Sequence, residues 1–228
     1  MSGPTPLQLN VLSRAESVAF LHSRTGSPDE QSAAELAELL GDLPLALAEA
    51  AAYIDQTRVG LSEYLQLVRD RAVELFDLAH PAQLAGAQRR VATVWSLSLE
   101  QVGREAPAVE ALLCLCAFLA PEEIPRSMPG EHHQVLPEEL GELAADPLAY
   151  NRALGVLGSY SLAVVTPDAL SLHRLVQAVL RARLNGDDER RWAEAAISLL
   201  EAGFLSDPAD VTSWPVIQRL LPHVPAAA

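Results

Sequence analysis

The chain has 228 residues, of which half are hydrophobic and 5% aromatic, and its formal net charge is −14. Leucine and alanine dominate the apolar positions, and since both lose little entropy in a helix, the composition predicts a mainly α globular protein of one large or two small domains. The acidic balance repels nucleic-acid phosphates and anionic membranes, so it favours neither as a partner.

No targeting or membrane segment is evident. The first ten residues lack the basic and apolar regions of a signal peptide, and no stretch approaches the roughly 20 apolar residues of a membrane span. Cys114 and Cys116 lie two positions apart in an apolar run. Residues at that spacing on a helix do not face each other, so we expect buried core thiols and a cytoplasmic protein.

A first helical module is predicted over residues 7–86. Residues 6–12 alternate like the end of a strand, which we expect to lead out of a preceding domain. Ser13 and Glu16 form a capping-box pattern that begins a helix, and helices are predicted over 31–40, 43–56 and 61–78. Gly41 ends the helix over 31–40, Asp42 is expected to cap the next one, and Pro44 falls in its first turn. Residues 80–88 are expected to be a linker.

A second module is predicted over residues 90–184. Helices are expected at 91–102, 107–119, 137–145 and 148–158, with a loop over 121–137 that holds at most one short helical turn. Residues 161–165 and 169–173 flank a Thr-Pro-Asp turn and predict a β-hairpin, which a helix over 174–184 follows. This order is typical of a winged helix. The overall prediction is a helical bundle, a winged-helix domain with a short β-hairpin, and then a helical pair.

The helical pair is predicted over residues 188–224, with helices at 188–202 and 211–223. Trp192 and Trp214 supply large apolar surfaces there. A pair of this kind is consistent with the start of tetratricopeptide-like repeats, although a single pair shows no period.

Catalytic and metal-binding motifs are absent from the sequence. It has no G-x-x-x-x-G-K-[ST] phosphate loop, no H-E-x-x-H, no G-x-S-x-G and no paired C-x-x-C. His132 and His133 are adjacent in a polar stretch, so their side chains diverge and favour a solvated loop over a metal site. The sequence therefore predicts no catalytic residues and no metal in this chain.

Several motifs occur in the order found in the NB-ARC class of signal-transducing ATPases. The sequence DLPLAL at 42–47 resembles the GLPL motif of that class, and SLHRLVQ at 171–177 resembles its MHD motif. The stretches at 12–16, 95–100 and 115–121 resemble the module starts of the actinobacterial branch, whose members end in tetratricopeptide repeats. Together these matches cover roughly residues 7–184.

The resemblance implies the regulatory, non-catalytic part of a nucleotide-dependent switch. Pro44 would pack against adenine, and His173 would reach the β-phosphate of ADP in the closed state. The parent protein would be an ATPase that uses ADP or ATP with magnesium, and the nucleotide would be held mainly by a domain that is not in this chain. Asp42 replaces the motif's glycine, and Arg174 replaces the aspartate after the histidine. Partners would be that domain, downstream helical repeats, and protein partners or a self-oligomer.

Two other functions fit parts of the pattern. A winged-helix DNA-binding regulator would read DNA through residues 148–158, but Arg152 is the only basic residue there, and DNA binding needs several phosphate contacts. A helical adaptor would use Trp192, Phe204 and Trp214 as a partner-binding surface, although these side chains could equally fill a local core.

Overall fold

The computed structural model describes residues 11–78, 86–204 and 214–227, and the side chains of these ranges other than 72–91 and 216. The described residues are mostly helical, with one small antiparallel sheet of three strands. The predicted mainly α class is confirmed. The chain divides into two compact units, Met1–Leu97 and Ser98–Ala228.

The described residues of the first unit form α1 (Arg14–Thr25), α2 (Glu30–Leu40), α3 (Pro44–Thr57), α4 (Leu61–Leu78) and the beginning of α5 (Gly86–Glu105), in which the unit boundary falls. Helix α1 packs on α2 and α3, and α2 packs on α4. Leu21, Leu36 and Leu47 are fully buried at the centre of these contacts.

Local capping sets the start of α1 and the end of α2 as the sequence predicts. The Ser13 side chain caps α1 and the Glu16 side chain bonds back to the Ser13 backbone, so the predicted capping box is confirmed. Gly41 ends α2 in the left-handed conformation, with φ of 69°. Of the predicted linker at 80–88, residues 80–85 lie outside the described residues and α5 already begins at Gly86. The predicted strand end at 6–12 lies mostly outside them as well.

The second unit is organised around α6 (Pro107–Cys116), whose buried residues include Leu112, Leu113 and Leu115. Helix α6 contacts four others: α8 (Glu138–Ala145), α9 (Pro147–Ser159), α10 (Arg174–Arg183) and α11 (Gly186–Phe204). Cys114 and Cys116 are buried free thiols, as predicted, and burial raises the pKa of each to about 12.

The sheet has the strand order β1-β3-β2, formed by β1 (Ile124–Pro125), β2 (Val164–Val165) and β3 (Ala169–Ser171). The predicted hairpin is confirmed, because Val164 pairs with Ser171 and Val165 with Leu170. Strand β1 pairs antiparallel with the other edge of β3, Ile124 opposite Leu170. The predicted loop over 121–137 is therefore wrong: it contains β1, α7 (Met128–Glu131) and a 3-10 turn at His133–Val135. A strand of two residues has no periodicity to detect.

The C-terminal part of the second unit consists of shorter helical segments than predicted. Of the helix expected over 211–223, residues 211–213 lie outside the described residues; the rest forms α12 (Trp214–Leu220) and a 3-10 turn at Leu221–His223, which α13 (Val224–Ala227) follows. Prolines at 215, 222 and 225 supply no backbone N–H group, which favours short segments over one continuous helix. Helices α12 and α13 both contact α11, and α12 also contacts β1.

Candidate functional site

Pro44 lies at the first position of α3, as predicted, and is partly exposed. Leu43 precedes it with extended backbone, φ −78° and ψ 118°, which is the conformation that a following proline imposes. Leu43 is also the N-terminal cap residue of α3, and its side chain makes no capping hydrogen bond. The prediction that Asp42 caps α3 is therefore wrong.

Asp42 instead pairs with Arg14 at the start of α1. Arg14 Nε donates to Asp42 Oδ1 and Nη2 donates to Oδ2, each over 2.9 Å. The Leu12 N–H group also donates to the Asp42 carbonyl oxygen over 3.0 Å. Hydrogen bonding by Arg14 lowers the pKa of Asp42 below its ordinary value, so the carboxylate stays ionised at neutral pH. These bonds fix the turn that leads into Pro44.

His173 is the N-terminal cap residue of α10, directly after strand β3. Its Nδ1 accepts a hydrogen bond from the Leu175 N–H group over 3.2 Å, so the neutral ring carries its proton on Nε2. The side chain is exposed. Partial desolvation, and secondarily the charge of Arg174, lower the pKa of His173 below its ordinary value. At neutral pH the ring is thus an uncharged donor at a helix N-terminus, where anions are favoured.

Pro44 belongs to the first unit and His173 to the second. Each has the local setting that a surface contact requires: Pro44 on a fixed turn, His173 on a capped helix end. Their common contact with a nucleotide stays a prediction.

The described residues show neither a metal centre nor a membrane span. Within them, no group of three or more His, Cys, Asp or Glu side chains is arranged to hold a metal ion. In the same residues, no helix combines the length and apolar character that crossing a membrane requires.

Sequence reasoning missed Arg14 and Gln177 as organising residues. Gln177 is buried on α10, and its Nε2 donates to the carbonyl oxygens of Cys116 and Leu119 at the end of α6, each over 2.9 Å. Both residues act on partners distant in sequence, 28 positions for Arg14 and up to 61 for Gln177. No local motif signals such a pairing.

Two comparisons with known proteins bear on the chain. Residues 99–189 match a family described as "Domain of unknown function (DUF7779)", so the match covers α6 to α10 and the sheet. A "Nucleotide-binding leucine-rich repeat (NLR)-like protein" from Hyaloscypha variabilis is 26% identical in an alignment of length 162 that covers 67% of this chain. The match covers 15% of the length of that relative. The chain therefore has a distant relative named for nucleotide binding, which supports kinship with regulatory signalling proteins at that level.

Proposed function

We propose that this chain is the regulatory, non-catalytic portion of a nucleotide-dependent signalling switch. The match to an NLR-like protein over 67% of the chain carries the proposal. In the switch, ADP is held mainly by a separate nucleotide-binding domain, Pro44 packs against the adenine, and His173 donates a hydrogen bond to the β-phosphate.

The setting of His173 supports its proposed role. Because Nδ1 accepts a hydrogen bond from the Leu175 N–H group, the orientation of the ring is set, and in the proposed complex the Nε2–H group is the donor to a phosphate oxygen. The low pKa keeps the ring neutral, and Arg174, the first residue of α10, supplies a positive charge beside it. Arg174 thus provides an attraction to phosphate that the aspartate of the family motif would not.

The setting of Pro44 supports the adenine contact. A proline ring has a flat apolar face and a fixed φ, so it offers a preorganised surface to an aromatic base. The turn before it is fixed by Asp42 and its bonds to Arg14 and Leu12. Asp42 thus replaces the glycine of the family motif without loosening the turn.

The order of the elements in the second unit supports the proposal that this unit is a winged-helix module. Helices α6, α8 and α9 are followed by the β2–β3 hairpin and α10, in the order that the winged-helix prediction requires. A nucleotide contact at the β3–α10 junction would favour the arrangement of domains in which that junction meets the nucleotide. ADP would then bias the switch by binding one arrangement more tightly than the other.

The test separates the proposed phosphate contact from helix capping. It uses a longer gene product that also carries the proposed nucleotide-binding domain, loaded with ADP. His173→Ser keeps a side-chain oxygen that caps α10 but removes the imidazole. We expect ADP to dissociate about tenfold faster from this variant, with unchanged thermal stability. The control is His133→Ser, which removes an exposed histidine of the 3-10 turn.

ADP release from His173→Ser at the wild-type rate would refute the phosphate contact. A second measurement addresses the missing domain. The 228-residue chain alone is expected to hydrolyse no ATP and to bind ADP weakly in calorimetry. Tight ADP binding by the chain alone would contradict the proposal that another domain holds the nucleotide.

A further inference from the structure

A polar cleft of about 340 Å³ lies in the second unit between the β2–β3 turn, α7, the start of α9 and α12. Two arginines from distant parts of the chain, Arg126 and Arg219, reach it. Its other walls include Pro147, Tyr150, Pro167 and Asp168. His173 does not line this cleft, so a role for it is independent of the proposed nucleotide contact.

Uncharged oxygen atoms hold both guanidinium groups in place. Arg126 Nη1 donates to the Thr166 carbonyl oxygen over 3.2 Å, and its Nη2 donates to Asn151 Oδ1. Arg219 Nη2 donates to the Asp168 carbonyl oxygen over 3.1 Å. These bonds orient the two positive charges without neutralising them.

No carboxylate of the described residues forms an ion pair with either arginine. Asp168 lines the cleft, but what it gives the arginines is its backbone carbonyl oxygen. Other arginines of the unit do have such partners, as Arg191 has Glu139 at 2.6 Å. The described residues that line the cleft include two arginines and one acidic residue, Asp168, so this lining is net positive in a chain with 30 acidic and 16 basic side chains.

The backbone around the arginines is also fixed. The Tyr150 hydroxyl donates to the Arg126 carbonyl oxygen over 3.1 Å, and the Arg126 N–H group donates to the Asp168 carbonyl oxygen over 3.0 Å. The segment that carries Arg219 is anchored by His223, whose Nδ1 accepts from the Ala120 N–H group over 3.0 Å. A site that is ordered before binding loses little entropy when the ligand arrives.

We propose that this cleft binds a small ligand through a phosphate monoester group, with Arg126 and Arg219 as the charged contacts. A phosphate monoester carries about −1.5 to −2 charges at pH 7. Its charge therefore balances two guanidinium groups better than the single charge of a carboxylate ligand would. Each guanidinium has five N–H donors, and the bonds described above use two of Arg126 and one of Arg219. The remaining donors suit the oxygens of phosphate.

Ligand binding would link two parts of the unit. Arg126 follows strand β1, whereas Arg219 lies on α12 in the C-terminal segment. A phosphate group that contacts both would stabilise the docking of that segment on the sheet, because a ligand stabilises the state that binds it.

The test uses calorimetry and NMR on the full 228-residue chain in phosphate-free buffer. The probes are inorganic phosphate, glycerol 3-phosphate and, as a carboxylate comparison, acetate. Saturable binding of a phosphate probe is expected to shift the Nε–Hε signals of Arg126 and Arg219. Tighter binding of glycerol 3-phosphate than of inorganic phosphate would identify an esterified ligand; equal binding would identify free phosphate as sufficient.

Variants assign the binding to the cleft. Arg126→Gln and Arg219→Gln should each weaken phosphate binding about tenfold, since each removes charge-assisted hydrogen bonds. The matched control is Arg152→Gln, which removes an exposed arginine of α9 outside the cleft lining and should bind as the wild type. If Arg126→Gln does not fold, Arg219→Gln decides, because Arg219 is exposed.

Three results would overturn the proposal. The first is the absence of saturable binding of either phosphate probe, and the second is wild-type affinity in Arg219→Gln. The third is acetate binding as tight as that of phosphate, which would contradict recognition of a dianion.

Discussion

Arg14 and Asp42 form a two-bond ion pair that joins the start of α1 to the turn before α3, with both N–O distances at 2.9 Å. Asp42 has φ of 55°, in the left-handed region that glycine adopts without strain and most other residues avoid. The pair thus secures an aspartate in a backbone conformation that favours glycine, the residue at the matching position of the GLPL motif that residues 42–47 resemble. It also explains how the turn before Pro44 keeps its shape.

Substitutions at Asp42 should separate the backbone strain from the ion pair. Asp42→Ala removes the pair and leaves an ordinary side chain at positive φ, whereas Asp42→Gly removes the pair and relieves the strain. We expect Asp42→Gly to be more stable than Asp42→Ala by about 1 kcal/mol in urea unfolding. Equal stability of the two variants would show that the strain is negligible. Asp55→Ala is the control, since Asp55 pairs with Arg58 only on an exposed face of α3.

The Arg14–Asp42 pair also predicts that the stability of the protein decreases in acid. Arg14 lowers the pKa of folded Asp42, so the unfolded chain takes up the proton first as the pH falls. The stabilisation is complete above the unfolded-state pKa near 3.9 and is lost as the pH falls through the lower folded-state value. Asp42→Asn has no carboxylate and should lack this acid-dependent loss. The measurement is urea unfolding of both proteins between neutral pH and pH 3.

Gln177 should be essential for the stability of the second unit. Gln177→Met keeps the side-chain length but leaves the Cys116 and Leu119 carbonyl oxygens without their donor. The expected cost is about 2 kcal/mol in the free energy of unfolding, because buried acceptors lose their hydrogen bonds. Gln134→Met, at an exposed position, serves as the control and should be close to neutral. A small effect at position 177 would mean that water replaces the amide.

His223 should make the second unit less stable in mild acid. It is fully buried, and burial lowers its pKa, with Arg219 adding to the shift while the Glu123 carbonyl opposes it. The stability that the neutral, buried His223 ring contributes is complete above the unfolded-state pKa near 6.5. It is lost as the pH falls from there towards the lower folded-state pKa. Protonation would place a hydrogen on Nδ1, facing the Ala120 N–H group.

The measurement for His223 is an NMR titration of its ring together with unfolding between pH 8 and pH 5. His223→Gln should flatten the pH dependence in this window, and His133→Gln, at an exposed site, should leave it intact. A titration of His223 at its ordinary pKa would contradict the prediction.

Two helical glycines should respond to alanine in opposite directions. A Cβ atom on Gly141 would lie 2.8 Å from the His133 carbonyl oxygen, which is backbone and cannot move aside easily. A Cβ atom on Gly155 meets nothing within 4 Å. Gly155→Ala should therefore stabilise the protein by about 0.5–1 kcal/mol through helix propensity, whereas Gly141→Ala should destabilise it. Thermal unfolding of the two variants provides the comparison, and stabilisation by both would show that the 3-10 turn yields.

The limits of sequence reasoning are clearest around the candidate site. Pro44 and His173 stand in the motif-like stretches at 42–47 and 171–177, and Pro44 lies in the first turn of its helix, as the sequence predicts. The predicted role of Asp42 as a helix cap was wrong because an aspartate can serve either as a cap or as an ion-pair partner, and the local sequence does not distinguish the two. Only the packing of α1 against α3 brings Arg14 close enough to compete for that carboxylate.

The helix ends at Ser13, Gly41 and Pro44 were determined by the sequence itself, because capping and the fixed φ of proline act within a few positions of the chain. Strand β1 and the cleft between Arg126 and Arg219 were decided only by the tertiary structure. Strand β1 has two residues and is defined by its pairing with β3, 46 positions further along the chain at Ile124 and Leu170. The two arginines meet only once the hairpin turn and α12 have packed. The turn holds them through the carbonyl oxygens of Thr166 and Asp168, and a backbone carbonyl gives no signal in the sequence.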